Sequence, residues 1–402
     1  MNDSLVDGPG LEGMAECMLK TLVEFRWRII SATCRTMSFL PIVSNIDWPS
    51  KKGLSTDQQQ AELQAIFAKA AELKLNTVIF QVRTMADALY ISNKEPWSEY
   101  LTGEMGKPPS PLYDPLEMAV KEAHARGLEL HAWFNPFRAR HSSATSAISE
   151  DHLIKRRPDL AKRYGTHYWL NPTHPDVQDH SIGVILDVVR RYDIDGVHID
   201  DYFYPYKEKG ADGKIISFPD DDTWELYQKG GGKLDRDDWR RDAVNRFVER
   251  LYREVKKAKP KVKVGISPFG IWRPGNPPGI TGLDAYAELY ADSRLWLKEG
   301  WCDYFAPQLY WPIKQTKQSF PRLLQWWTEQ NVKGRLLCPG LYTSRVTGAD
   351  KGWPADEIIE QIKLTRQQAG AGGHIHFSMH TLMQNSGGGA ESLKTLYSTP
   401  QK

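Results

Sequence analysis

Asp200 and Asp201 stand side by side in the stretch DIDGVHIDDYFYPY (193–206), after a short apolar run and before a run of aromatic rings. Two close carboxylates oppose each other's ionisation, so one of them can keep a proton near neutral pH while the other stays charged. Hydrolysis of a glycosidic bond requires such a pair. The plainer alternative is structural: either acid could cap a helix or pair with Arg83 or Arg138. A second chemistry is suggested by His131, His198, His374 and His376, where HIH (374–376) sets two rings on one face of a strand. That pattern would allow a metal site, but hydrogen-bonding roles are the simpler expectation, and no metal or other cofactor is assigned. No G-x-S-x-G elbow offers an acyl-transfer serine. The four cysteines, at 17, 34, 302 and 338, have neither metal-ligand spacing nor the density of a disulfide framework. Cys302 and Cys338 adjoin strand patterns and are expected to be buried thiols.

These side chains need elements to hold them. From residue 40 onward a short β-branched or aromatic run alternates with an amphipathic stretch. The predicted strands are 41–48, 77–83, 128–135, 196–202, 262–270, 303–311, 335–342 and 373–379. Helical patterns fall at 55–75, 114–128, 176–192, 240–258 and 355–370. Eight strands, each followed by a helical pattern, predict an α/β fold of the (β/α)8 TIM-barrel type, with long insertions after strand two (84–113) and strand four (203–239). No G-x-G-x-x-G or P-loop follows any strand, which disfavours an open nucleotide-binding sheet. The expected division is an atypical N-terminal segment (1–40), the barrel domain (41–392) and a C-terminal tail (393–402).

Barrels of this kind place their chemistry at the C-terminal ends of the strands. In order, those ends offer Asn45, Asp47 and Trp48; Gln81 and Arg83; His131, Trp133, Asn135 and Arg138; His198, Asp200 and Asp201. The second half offers Ser267, Phe269 and Trp272; Gln308, Tyr310 and Trp311; Tyr342; and His374, His376 and Ser378. A barrel without a site would carry aliphatic residues at most of these places. Alternation along GVHIDDY puts Val197 and Ile199 against the helices, and His198 and Asp200 inside the barrel, facing its mouth.

The chain's 14 Trp, 17 Tyr and 13 Phe fall largely beside Gly, Pro or Asn. Rings in loops suit stacking on sugar faces. A net charge of +2 gives no field that argues for nucleic acid. No secretory signal is readable, and 21–40 is too charged to span a bilayer.

The segments VSNIDWPS, NTVIFQVR, LELHAWFNPFRAR, DIDGVHIDDYFYPY, VGISPFGIWRPGNPPG and APQLYWPI resemble the bacterial glycosyl-hydrolase-like family 10 over about residues 42–385. The resemblance implies an exported or lipid-anchored glycosidase, acting on an oligo- or polysaccharide such as the N-acetylated glycan strands of peptidoglycan. Strand four also resembles, more distantly, the D-x-x-D-x-D-x-E run of family 18 chitinases. Asp195 and Asp200 match it, His198 replaces the second Asp, and Tyr202 stands where the catalytic Glu would be. A chitinase-type mechanism therefore lacks its acid here. Asp200 is expected to be base, nucleophile or charge stabiliser, with Asp201, or failing that Glu95, as the acid. Trp48, Trp272, Tyr310 and Trp311 are expected to stack on sugars. Arg83, Asn135, Arg138 and Gln308 are expected to hydrogen-bond them, with Asp47, His198 and His376 completing the mouth. Two other readings stay open: a carbohydrate-binding barrel without catalysis, and a metal-dependent polysaccharide deacetylase.

Overall fold

A computed structural model describes residues 34–347 and 352–398. Its main sheet is parallel and contains β1 (Arg35–Leu40), β2 (Thr77–Arg83), β3 (Glu129–Phe134), β7 (Gly196–Ile199), β8 (Lys263–Ile266), β9 (Tyr304–Phe305), β10 (Leu336–Leu337), β11 (Gly340–Leu341) and β12 (Gly373–His376). The strand order is β10-β9-β8-β7-β3-β2-β1-β12-β11. Its two ends, β10 and β11, are consecutive pieces of one strand interrupted at Cys338–Pro339. β10 pairs with β9 and β11 with β12, so the sheet closes on itself as an eight-stranded barrel.

Helices cover the outside. The first, α1 (Thr56–Glu72), begins in a capping box in which Ser55 Oγ accepts from the Gln58 amide and the Gln58 side chain accepts from the Ser55 amide. The second, α2 (Pro115–His124), has Pro115 in its first turn and an Asp114 cap. Then come α3 (Pro175–Arg191), α4 (Arg236–Ala258) with its Asp235 cap, and α5 (Ser293–Glu299). The outer ring continues with α6 (Phe320–Gln330), α7 (Ala355–Gln367), α8 (Met379–Gln384) and α9 (Gly389–Ser398). Among the described residues, no helix is long and apolar enough to cross a membrane.

Period-two alternation divides the core into two layers. Residues such as Val78, Val197, Ile199 and Val264 face the helices, whereas Met37, Phe39, Ile79, Trp133, Tyr304, Cys338 and Ile375 fill the barrel. Two inward positions are glycines because rings occupy the space. A Cβ on Gly196 would lie 2.6 Å from the His131 ring, and one on Gly265 would lie 1.8 Å from Tyr304.

Four expectations are corrected. The first strand is Arg35–Leu40, within the segment expected to precede the domain. The predicted strand 41–48 is a short 3-10 turn and loop, because Pro41 has no amide to donate to the ladder. An insertion after β3 also escaped the periodicity: β4 (Arg138–Arg140), β5 (Ala161–Tyr164) and β6 (His167–Leu170) form a small antiparallel sheet above the barrel. Finally, 393–398 is not a tail but part of α9, whose Tyr397 hydroxyl lies 2.7 Å from both His374 and His376. Of the remaining expectations, residues 1–33, including Cys17, lie outside the described residues.

Candidate active site

β7 ends at Ile199, and its alternation carries Asp200 into the barrel mouth, where the carboxyl is 3% exposed. The Trp133 indole N–H donates to Asp200 Oδ2 at 3.1 Å, and the Tyr202 amide donates to Oδ1 at 3.2 Å. Asn135 adds its amide N–H groups at 3.4 Å. Its orientation is fixed because Asn135 Oδ1 accepts from the amides of Phe137 and Arg138. Asp201 turns to the other side of the same opening. It accepts from the Tyr206 hydroxyl and, at 3.0 Å, from Gln308 Nε2.

The two acids differ in surroundings. Burial pushes Asp200 up to about 7, with Asp201 adding to the rise and Arg138 opposing it. Burial also raises Asp201, against the pull of the Tyr206 and Gln308 donors. A carboxyl near 7 is half protonated at neutral pH, so Asp200 holds a transferable proton more readily than the sequence led us to expect.

The two acids line an open cleft of about 350 Å³. The loop after β1 supplies Val43, Ser44 and Ile46, the latter 40% exposed at the lip. Phe39, Trp133, Tyr202, Tyr206, Tyr310, Tyr342 and Phe377 provide rings, while Gln81, Arg138, His141, Ser267 and Gln308 provide polar groups. The Arg138 guanidinium lies 4.6 Å from the centre of the Tyr202 ring, so a cation and a ring bound the cleft beside both acids. Gln81 is fully buried. Its Oε1 accepts from the amides of Ile42 (2.8 Å) and Val43 (2.9 Å), which leaves Nε2 with no hydrogen-bond partner among the described residues.

Of the expected site residues, Asp200, Asp201, Arg138, Gln308 and Tyr310 line the cleft. Asn135 stands behind Asp200, and His198 lies beneath it inside the barrel. Others serve the scaffold. Arg83 and Glu95 form a fully buried ion pair (Nη2–Oε1 2.5 Å), which His180 extends. Burial acts to raise Glu95, but Arg83 and His180 outweigh it and hold it at about 2, so it cannot be the proton donor. Trp48 is fully buried, packs edge-on against Phe80 and donates to the Gln59 carbonyl. Trp272 stacks on Trp326 and donates to Asp292, while Trp311 packs against Phe269. Asp47 accepts from the Ser378 hydroxyl. His376, with His374, faces α9 because Ile375 and Phe377 take the inward positions of that strand. Among the described residues, no group of three or more His, Cys, Asp or Glu could hold a metal ion.

Gln81, Trp133, Ser267 and Tyr342 stand at predicted strand ends and line the cleft, although the sequence assigns them no role there. Tyr206, His141, Ser44 and Ile46 lie on loops where period-two alternation no longer applies. Only the crowding of rings in YFYPY signalled Tyr206.

The profile of the family described as glycosyl hydrolase-like 10 matches residues 36–353. The glycosyl hydrolase YngK of Bacillus subtilis (strain 168) is 43% identical over 371 residues, covering 89% of this chain and 71% of that protein. The glycosyl hydrolase DigH of Escherichia coli (strain K12) is 35% identical over 311 residues, covering 72% and 69%. Among solved structures, the PgaB (BpsB) glycoside hydrolase domain from Bordetella bronchiseptica superposes with a TM-score of 0.58 at 13% identity, covering 92% of this chain and all of that one. The catalytic domain of β-amylase from Paenibacillus polymyxa gives 0.58 at 12% identity, covering 91% and 99%. Both structural similarities speak to the barrel fold alone.

Proposed function

Since the chain belongs to the glycosyl hydrolase-like 10 family and is a glycoside hydrolase, we propose that it cleaves N-acetylated glycan strands of the peptidoglycan type at the mouth of its barrel, with Asp200 and Asp201 as the reacting carboxyls. The observation that carries this reading is the placement of two adjacent, buried acids on one cleft, each with its own set of hydrogen-bond donors. An open cleft walled by Tyr310, Tyr342, Phe377 and Ile46 suits an extended chain of sugar rings. The free N–H of Gln81 and the side chains of Arg138 and Gln308 suit hydroxyl and acetamido oxygens.

In this mechanism Asp200 gives its proton to the leaving glycosidic oxygen. Asp201, which accepts from Tyr206 and Gln308, faces the developing positive charge as nucleophile, base or stabiliser. This exchanges the roles expected from sequence. Trp133, Asn135 and Arg138 keep the Asp200 carboxyl in place and set how readily it releases its proton. Peptidoglycan strands lie outside the cytoplasm, so the proposal implies an exported protein. Incubation with denuded peptidoglycan strands and with chitooligosaccharides, followed by mass spectrometry, tests it. Shorter reducing-end fragments from the first support it, and intact strands alongside cleavage of a different glycan would reassign the substrate.

A further inference from the structure

A chain of buried polar side chains runs along the barrel axis beneath the cleft. At the lower end, Glu129 accepts from Lys263 (2.7 and 2.8 Å) and Arg35 (2.8 Å), and it lies 3.3 Å from His131 Nε2. His131 Nδ1 is 2.9 Å from the Tyr304 hydroxyl, which is 2.8 Å from His198 Nδ1. His198 Nε2 is 2.8 Å from Ser267 Oγ, and Ser267 lines the cleft. His131, His198, Tyr304 and Ser267 are each at most 1% exposed. Gly196 and Gly265 leave the space that the two inner rings need.

The direction of every proton in this chain follows from its lower end. Lys263 and Arg35 keep Glu129 ionised, and a carboxylate can only accept. His131 must therefore donate through Nε2. Burial pushes both histidines below their ordinary range, so they are neutral and each carries one ring proton. His131 Nδ1 is then bare and receives the Tyr304 proton. The Tyr304 oxygen in turn accepts from His198 Nδ1–H, which leaves His198 Nε2 bare to receive the hydroxyl proton of Ser267.

We propose that this relay fixes Ser267 as a hydrogen-bond acceptor towards the cleft, making it a specificity-determining residue that selects a sugar hydroxyl or amide N–H over an acceptor at that position. Glu129, His131, Tyr304 and His198 are its positioning residues. The identity of the group that meets Ser267 rests on the glycosidase reading above, whereas the proton order does not. The carboxylate at one end of the barrel thereby decides the polarity of a hydroxyl at the other.

The test reads the ring nitrogens directly. Long-range proton–nitrogen correlation spectra of protein labelled with 15N-histidine, assigned with single-histidine variants, should show His198 protonated at Nδ1 and His131 at Nε2. A proton on His198 Nε2 in the parent overturns the proposal. Glu129→Gln should reverse the chain, because Lys263 and Arg35 retain the amide oxygen and turn its N–H groups to His131. His198 then moves its proton to Nε2. Tyr304→Phe removes the central link and should release His198 to the same Nε2–H form, which keeps the test decisive if Glu129→Gln does not fold. An unchanged His198 tautomer in folded Tyr304→Phe would refute the coupling. On chitotetraose or denuded strands, Ser267→Ala should raise KM several-fold while leaving kcat within about twofold. A parent inactive on both substrates, with the predicted tautomers intact, would fault the glycosidase reading rather than the relay.

Discussion

Replacing Asp200 with Asn removes the proton donor while keeping the size of the side chain. A positioned general acid contributes about 10²- to 10⁴-fold, or roughly 3–5 kcal/mol of the barrier. The burial of Asp200 and its pKa near 7 place it at the high end. The loss should depend on the leaving group. With a glycan, whose leaving alkoxide needs a proton, kcat/KM should fall by about 10³-fold or more. With a dinitrophenyl chitooligosaccharide, whose phenolate departs unaided, cleavage of the aryl bond by Asp200→Asn should stay within about tenfold of the parent. Asp201→Asn should lose activity on both substrates, because charge stabilisation is needed whatever departs. Steady-state rates of the two variants on the two substrates give the answer. Equal loss on both substrates for Asp200→Asn, with rescue by the activated substrate in Asp201→Asn, would reverse the roles assigned to the pair.

Other expectations follow from the same geometry. The rise of Asp200 from 3.8 to about 7 is worth about 4 kcal/mol against the folded state once the pH exceeds the folded value. The folded protein binds the extra proton between those values, so the parent's stability falls as pH rises through that window and levels above it. Denaturant titrations should therefore show the stability of Asp200→Asn relative to the parent increasing from pH 5 to pH 8; a pH-independent difference would contradict the raised pKa. Gln81→Glu keeps the acceptor for Ile42 and Val43 but deletes the free N–H, so KM on the glycan should rise several-fold, equivalent to about 1 kcal/mol. Glu95→Ala leaves Arg83 as an uncompensated buried charge and should cost about 3–5 kcal/mol in unfolding free energy, since this acid maintains structure and does not face the cleft.

Much of the barrel was legible because strand alternation and helix caps are local signals. Ser55 and Asp114 stand at the predicted helix starts and cap those helices in the structure, whereas the helix predicted from 240 begins at Arg236 behind an Asp235 cap. Strand one was misplaced because the apolar run 36–46 continues past Pro41, and only the register against β2 and β12 shows where the ladder stops. Asp200 was readable from parity within its strand. Trp48, Trp272 and Trp311 were not, because a ring beside Gly or Pro looks the same whether it stacks on a sugar or on Phe80, Trp326 or Phe269. The histidines of the last strand share one face as their spacing required, but Ile375 and Phe377 took the inward positions. The insertion 138–170 was missed because its strands are short and partly exposed, which weakens any hydrophobic period.

The cleft holding Asp200 and Asp201 is proposed to hydrolyse a glycosidic bond. Denuded peptidoglycan strands digested in water enriched in ¹⁸O, with the products weighed by mass spectrometry, test it most directly. The parent protein should give fragments that carry one ¹⁸O at each new reducing end, and the Asp200→Asn, Asp201→Asn double variant none above background. Labelled products formed equally by parent and double variant would contradict it, as would a parent that releases no labelled fragment from these strands or from any other glycan.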